Sequence, residues 1–369
     1  MLTLVAGVGA GCDFGTPTWE PSFGSGSPVH LVDENIGPSR PIAPGAPIEM
    51  FFDRLLLPGS VTRQSFVLTD LSGNGYDIPT LVYDPVARSV TMRTLAPLPA
   101  CQSFRVYLLT PAESQGLGGI QAIDGATLDP STPQFLEFPV SGTCATGTSP
   151  GDGGLDGGSD GGTEGDGGPS DLDASLAPGA DAATSGDAGD AGSAPAQTFP
   201  TIDFCATVMP IFRSNCSGQT CHGGPAPVAG LRLDTSQGVL ETAVNRVSIE
   251  SNQGPRATSE PPSDLFGFDM PLVDSSGAQG DPGDSWLLYK VLLATPPAST
   301  PTVDFHTRPW SDLSAAERAT LGDYVIGSPM PFPSPVVGGG DMSVPLTLDQ
   351  IEQISFWIQQ GADVPPCAD

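Results

Sequence analysis

From Thr146 to Gln197 the chain runs through Asp-Gly-Gly, Gly-Gly-Ser-Asp-Gly-Gly and Gly-Asp-Ala-Gly-Asp-Ala-Gly units, with ten acids and no base. A stretch with almost nothing to bury cannot offset the entropy lost on ordering it. It reads as a disordered, flexible acidic linker, and whatever folds must do so on either side of it. Asp-Gly repeats also occur in calcium-binding loops. Here no closing Glu stands at the required place and no helices flank the repeats. The 369 residues suffice for two ordinary domains beside the linker. The expected division is a signal remnant and tether over 1–28, a β-region over 29–145, the linker over 146–199 and a mainly helical region over 200–369.

The net charge of −29 belongs in part to that linker. Lys290 is the only lysine in the chain. No basic patch could neutralise a row of phosphates, so nucleic acid is excluded as a partner. No apolar run reaches the length needed to span a bilayer. His30, His222 and His306 are the only histidines, and none stands in the context of a catalytic triad. Hydrolytic or group-transfer catalysis is therefore not expected, and the chain reads as a carrier or binding protein rather than an enzyme.

From His30 to Cys144 short apolar stretches alternate with turn signals. Strands are expected at Ile48–Phe52, Ser65–Leu68, Thr80–Tyr83, Ser89–Arg93, Phe104–Leu109 and Phe135–Val140. Leu57-Pro58-Gly59, Ser72-Gly73-Asn74-Gly75, Asp84-Pro85 and Asp124-Gly125 divide them. That spacing predicts an all-β sandwich. Past the linker, Asp203 caps a helix from Phe204 to about Ser214, with Pro210 forcing a kink or early break. Ser314 and Glu317 make a capping box for a helix over Ala315–Val325. Thr347 and Gln350 make another for Leu348–Gln360, with Ile351, Ile354, Trp357 and Ile358 as its buried stripe.

The chemistry-bearing stretch is Cys216-Ser217-Gly218-Gln219-Thr220-Cys221-His222. Two thiols followed directly by an imidazole let a chain hold a c-type haem: each sulfur bonds one vinyl group and the His reaches the iron. The usual spacing has two residues between the cysteines; this chain has four. A small Cys216–Cys221 disulfide with His222 on the surface is the competing reading. A zinc site would need ligands from elsewhere.

The β-region resembles the bacterial Ig-like domains common in exported proteins. Pro47-Ile48-Glu49-Met50-Phe51-Phe52-Asp53, Leu57-Pro58-Gly59-Ser60-Val61 and Ser65-Phe66-Val67-Leu68 carry the likeness. It implies a spacer or adhesive module without catalysis. The C-terminal region resembles the cytochrome-c-like domains of exported myxobacterial lipoproteins and related planctomycete proteins. That likeness runs through Val208–Phe212, Cys216…Cys221-His222-Gly223-Gly224, Gly230–Asp234, Gly280–Val291, a Met-Pro step and Phe356–Ala362. It implies covalent haem c on Cys216 and Cys221, with His222 as proximal ligand through Nε2 and the glycine pair leaving room for the porphyrin edge. It also implies a Met before the last helix as sixth ligand. Met330 in Ser328-Pro329-Met330-Pro331 fits best, then Met342, then Met270; His306 is a bis-His alternative. Plain core filling is the other reading of Met330 and Met342. The fold class expected is multidomain: an N-terminal Ig-like sandwich, the linker and a mainly α cytochrome-c-like domain.

The start, Met1 to Cys12, is short, apolar and made of small residues. It resembles the end of a bacterial lipoprotein signal, with Gly11-Cys12 as cleavage and lipidation point. No positive n-region precedes it, as a start inside a longer signal would give, and Gly9 departs from the bulky residue usual three before the Cys. A frayed terminus with a plain thiol is the bland alternative. With Cys12 lipidated, the seven cysteines partition into Cys101 and Cys144 in the β-region, Cys205 and Cys367 bracketing the second region, and the haem pair. A Cys205–Cys367 bridge would contribute about 4 kcal/mol by closing so long a loop. The expectation is an exported, lipid-anchored electron carrier of the cell envelope (periplasm or surface). It touches the membrane through its anchor only and meets a redox partner protein there. The alternative is a haem-free structural or adhesive lipoprotein with a Cys216–Cys221 disulfide.

Overall fold

The structure is a computed structural model that describes residues 26–114, 118–143, 201–218, 221–252, 266, 269–276, 279–297, 312–325, 327–331 and 344–368. Cys12, Cys144, His306, Met342 and the linker lie outside the described residues.

Among the described residues seven strands form two antiparallel sheets: β1 (Leu31–Glu34), β2 (Ile48–Phe52), β3 (Phe66–Asp70), β4 (Thr80–Asp84), β5 (Ser89–Arg93), β6 (Ser103–Leu108) and β7 (Phe135–Pro139). One sheet has the order β1-β2-β5-β4 and the other β3-β6-β7. In β6 the alternation is strict. Phe104, Val106 and Leu108 point into the core beside Phe66 and Leu68 of β3 and Phe138 of β7. β2 is buried along its whole length, and β5 along all but its last residue. A strand buried on both sides has a second layer over its sheet. Part of that layer comes from the C-terminal region: the tight turn Pro282–Asp284 sits on β4, and a Cβ on Gly283 would come within 2.9 Å of Tyr83.

The two regions that the linker separates in sequence therefore meet in one compact unit. Glu317 joins them. Its Oε1 accepts from the Leu55 backbone N–H at 2.9 Å, and its Oε2 lies 3.5 Å from Arg88 Nη2. Arg88 also donates to the Asp312 carbonyl at 3.1 Å.

Among the described residues the C-terminal region has five α-helices: α1 (Met209–Asn215), α2 (Ser236–Thr242), α3 (Trp286–Leu292), α4 (Ala315–Tyr324) and α5 (Leu348–Gln359). The segment before α1, Phe204–Val208, is a π-helical turn capped by Asp203, whose side chain accepts from the Ala206 N–H. Pro210 has no N–H to return to Ala206, and the change of pitch falls beside it. Both capping boxes form, Ser314 with Glu317 and Thr347 with Gln350. Ile351, Ile354, Trp357 and Ile358 are all buried. Trp357 packs against Phe204 at 5.2 Å and Phe212 at 6.0 Å between ring centres, and its Nε1 donates to the Asp363 carbonyl. It is a core anchor. The Cys205–Cys367 disulfide ties the two ends of this region, with Cα atoms 5.4 Å apart. Cys101 is also disulfide-bonded; Cys144, the other cysteine of the β-region, is outside the described residues. No described helix is long and apolar enough to cross a membrane.

Candidate cofactor pocket

The loop after α1 folds back on the helix it leaves. Cys216 closes α1 with its N–H on the Phe212 carbonyl. The His222 N–H reaches back to the Cys216 carbonyl at 3.1 Å, and the Cys221 N–H bonds the Gly218 carbonyl at 2.8 Å. Gly223 passes so near Ser217 that a Cβ there would stand 2.1 Å from its carbonyl oxygen. The glycine pair was expected to make room for a porphyrin edge. At Gly223 the nearer cause is the loop's own closure; Gly224 takes a left-handed φ of 74°. No disulfide joins Cys216 to Cys221.

Cys216, Cys221 and His222 line a cavity of about 510 Å³, a size usual for cofactor sites, about 300–1,000 Å³. Its wall also includes Val228, Leu231 and Leu233 beyond the loop, and Val247, Ile249 and Glu250 from the segment after α2. Trp286, Leu287, Lys290 and Val291 come from α3, and Met330 from the segment after α4. Of the methionines proposed as iron ligands, Met330 lies on this wall. Its N–H is tied to the Lys290 carbonyl at 3.0 Å. Met270 does not line the cavity; it is a buried core residue whose carbonyl accepts from Ser248. Val228, Val247 and Ile249 are exposed apolar side chains that present their surface to the cavity.

His222 Nδ1 lies 3.3 Å from the Val228 carbonyl. A carbonyl oxygen only accepts, so Nδ1 carries the proton and Nε2 keeps its lone pair. Burial lowers the His222 pKa below that of an ordinary imidazole, against the backbone carbonyls and Glu250, which act to raise it. The ring is neutral at pH 7 and Nε2 is a donor atom for a metal. Burial and the neighbouring Cys221 sulfur push the Cys216 thiol up to about 12. It stays protonated at neutral pH and is slow to exchange or oxidise. Among the described residues no three His, Cys, Asp or Glu side chains gather to hold a bare metal ion. The donor set instead suits a group that brings most of its own ligands: two thiols, one neutral imidazole, one thioether and apolar walls.

Trp286, Glu250 and Lys290 were not read as site residues, although Trp286 and Lys290 lie in the Gly280–Val291 stretch that carries the resemblance. Lys290 Nζ lies 2.9 Å from Glu250 Oε2, and Trp286 Nε1 donates to the same oxygen at 3.3 Å.

No family model matches the chain, and no curated protein matches it. Among solved structures, the N-terminal part of the bacterial S-layer protein SbsC is similar over 31% of this chain and 24% of that one, at 9% identity and TM-score 0.24. Domains 1–6 of surface layer protein SbsC are similar over 31% and 14% of the two chains, at 10% identity and TM-score 0.24. The chain spans about a quarter or less of those chains, and so weak a likeness says nothing of fold or function.

Proposed function

We propose that this protein is an exported, lipid-anchored, c-type cytochrome-like electron carrier, with an Ig-like domain and a cytochrome-c-like domain of the myxobacterial and planctomycete type. One observation carries the reading: Met330, distant in the chain, lines the same apolar cavity as Cys216, Cys221 and His222. Cys216 and Cys221 would hold the porphyrin covalently, each S–H adding across one vinyl group with no net oxidation. His222 offers Nε2, oriented by its Nδ1 bond to Val228, and Met330 offers its thioether sulfur. Val228, Leu231, Val247 and Ile249 give the cavity apolar walls. Bound there, the haem supplies a one-electron couple whose potential Met ligation raises.

Lettered in chain order, the sheets read A-B-E-D and C-F-G, the order of constant-type immunoglobulin domains, which supports the Ig-like reading. Two disulfide-bonded sites, Cys205–Cys367 and Cys101, support an oxidising compartment. Lipidation at Cys12 and a redox partner in the cell envelope follow from the resemblance. The haem-free adhesive reading, with a Cys216–Cys221 disulfide, is the alternative that the same test decides.

The test is the intact mass of protein exported from a host with c-type maturation machinery. One covalently added haem, lost in the Cys216→Ser/Cys221→Ser double variant, is expected. A mass equal to the polypeptide and its lipid alone would count against the proposal.

A further inference from the structure

Lys290 is the only lysine in a chain with 42 acids. Its side chain is buried, 6% exposed, in the cavity wall. Trp286 stands one turn earlier on α3, and positions four apart share a helix face. The helix thus turns an ammonium and an indole N–H toward one point, where both meet Glu250 Oε2. Two donors converging on one carboxylate oxygen, one of them charged, make a carboxylate receptor. Gly327 borders it; a Cβ there would stand 3.0 Å from both Lys290 Nζ and Glu250 Oε1.

The two donors are fixed by a buried helix, but the acid they hold is not. Glu250 comes from a single tight turn, Ile249–Asn252, and its side chain is 40% exposed. It can turn to water and leave the donors to another carboxylate. Lys290 is the one full cation among the described residues lining the cavity.

We infer that Lys290 and Trp286 bind a propionate carboxylate of the porphyrin, with Glu250 giving way to it. This rests on the haem reading of the pocket and deepens it. Lys290 and Trp286 are then positioning residues: they fix the rotation of the ring in its slot, so that its vinyl groups meet Cys216 and Cys221.

The experiment uses the full chain expressed without maturation machinery and titrated with zinc mesoporphyrin, whose ethyl groups cannot form thioethers. Its dimethyl ester is the control, delivered in the same nonionic detergent, and porphyrin fluorescence is the readout. The wild type should prefer the diacid by about tenfold, the worth of one charge-assisted hydrogen bond. Lys290→Met should abolish the preference. Glu250→Gln removes the competing carboxylate while keeping an acceptor for both donors, so it should tighten the diacid severalfold and not the ester. Should Lys290→Met fail to fold, Glu250→Gln decides alone. Equal binding of diacid and ester by the wild type, or a diacid weakened by Glu250→Gln, overturns the inference and leaves the pocket reading intact. Binding of neither porphyrin overturns both.

Discussion

His222 Nδ1 donates to the Val228 carbonyl at 3.3 Å, a contact that leaves Nε2 as the unprotonated ring nitrogen. The carbonyl belongs to the segment that also forms one wall of the cavity, so ring orientation and pocket shape are set together. With Nε2 as the iron ligand, His222→Ala should abolish low-spin features of the holoprotein while the thioethers keep the porphyrin attached. An unchanged visible spectrum would remove His222 from the iron.

Met330 is placed on the wall by its backbone bond to Lys290. Met330→Ala should abolish the weak absorbance at the red edge of the oxidised spectrum and lower the midpoint potential. Persistence of that band would transfer the role to Met342.

The contact between the two regions depends on a buried pair. The side chains of Arg88 and Glu317 are 10% and 8% exposed. Removing one partner leaves the other charge buried, which costs about 3 kcal/mol or more. Glu317→Ala also breaks the α4 capping box and orphans the Leu55 N–H. Urea unfolding of Glu317→Ala should show a loss of at least that size; a loss under about 1 kcal/mol would mean that the pair does not hold the regions together.

Both capping boxes were legible because a cap is written within four residues. The β-strands with alternating or β-branched runs were legible for the same local reason, and Ile48–Phe52 and Ser89–Arg93 have the bounds that the sequence predicts. The α3 helix was not. Trp286-Leu287-Leu288-Tyr289-Lys290-Val291-Leu292 is buried all round, so it carries no polar face and no period to read. Cys216, Cys221 and His222 announce themselves by adjacency. Lys290 and Glu250 meet only in three dimensions, and Met330 was distinguished from Met270 only by the resemblance until the cavity brought it to His222.

The Cys205–Cys367 bridge spans a sequence separation of 162. The double variant Cys205→Ala/Cys367→Ala should lose about 5 kcal/mol in the chain-entropy picture. Thermal unfolding of oxidised wild type against the variant measures it; coincident midpoints would show that the ends are held by other contacts.

Glu49 on β2 is 4% exposed, and its Oε2 finds no hydrogen-bond partner among the described residues. Burial raises its pKa from 4.5 to about 7, against a smaller lowering by Arg93. Between those values the unfolded chain has released the proton and the folded one still holds it. The group's contribution is therefore full below about pH 4.5 and is lost as pH rises to about 7, a change of about 3 kcal/mol. Unfolding free energies across that window should fall in the wild type and fall less in Glu49→Gln. Parallel profiles would mean that Glu49 ionises normally in the fold.

The central claim is that Cys216, Cys221 and His222 hold a haem in this cavity, and the reduced-minus-oxidised spectrum of the mature protein tests it most directly. A sharp α-band that survives acid-acetone extraction is the predicted result. Colourless protein from a maturation-competent host, with Cys216 bonded to Cys221, would contradict it.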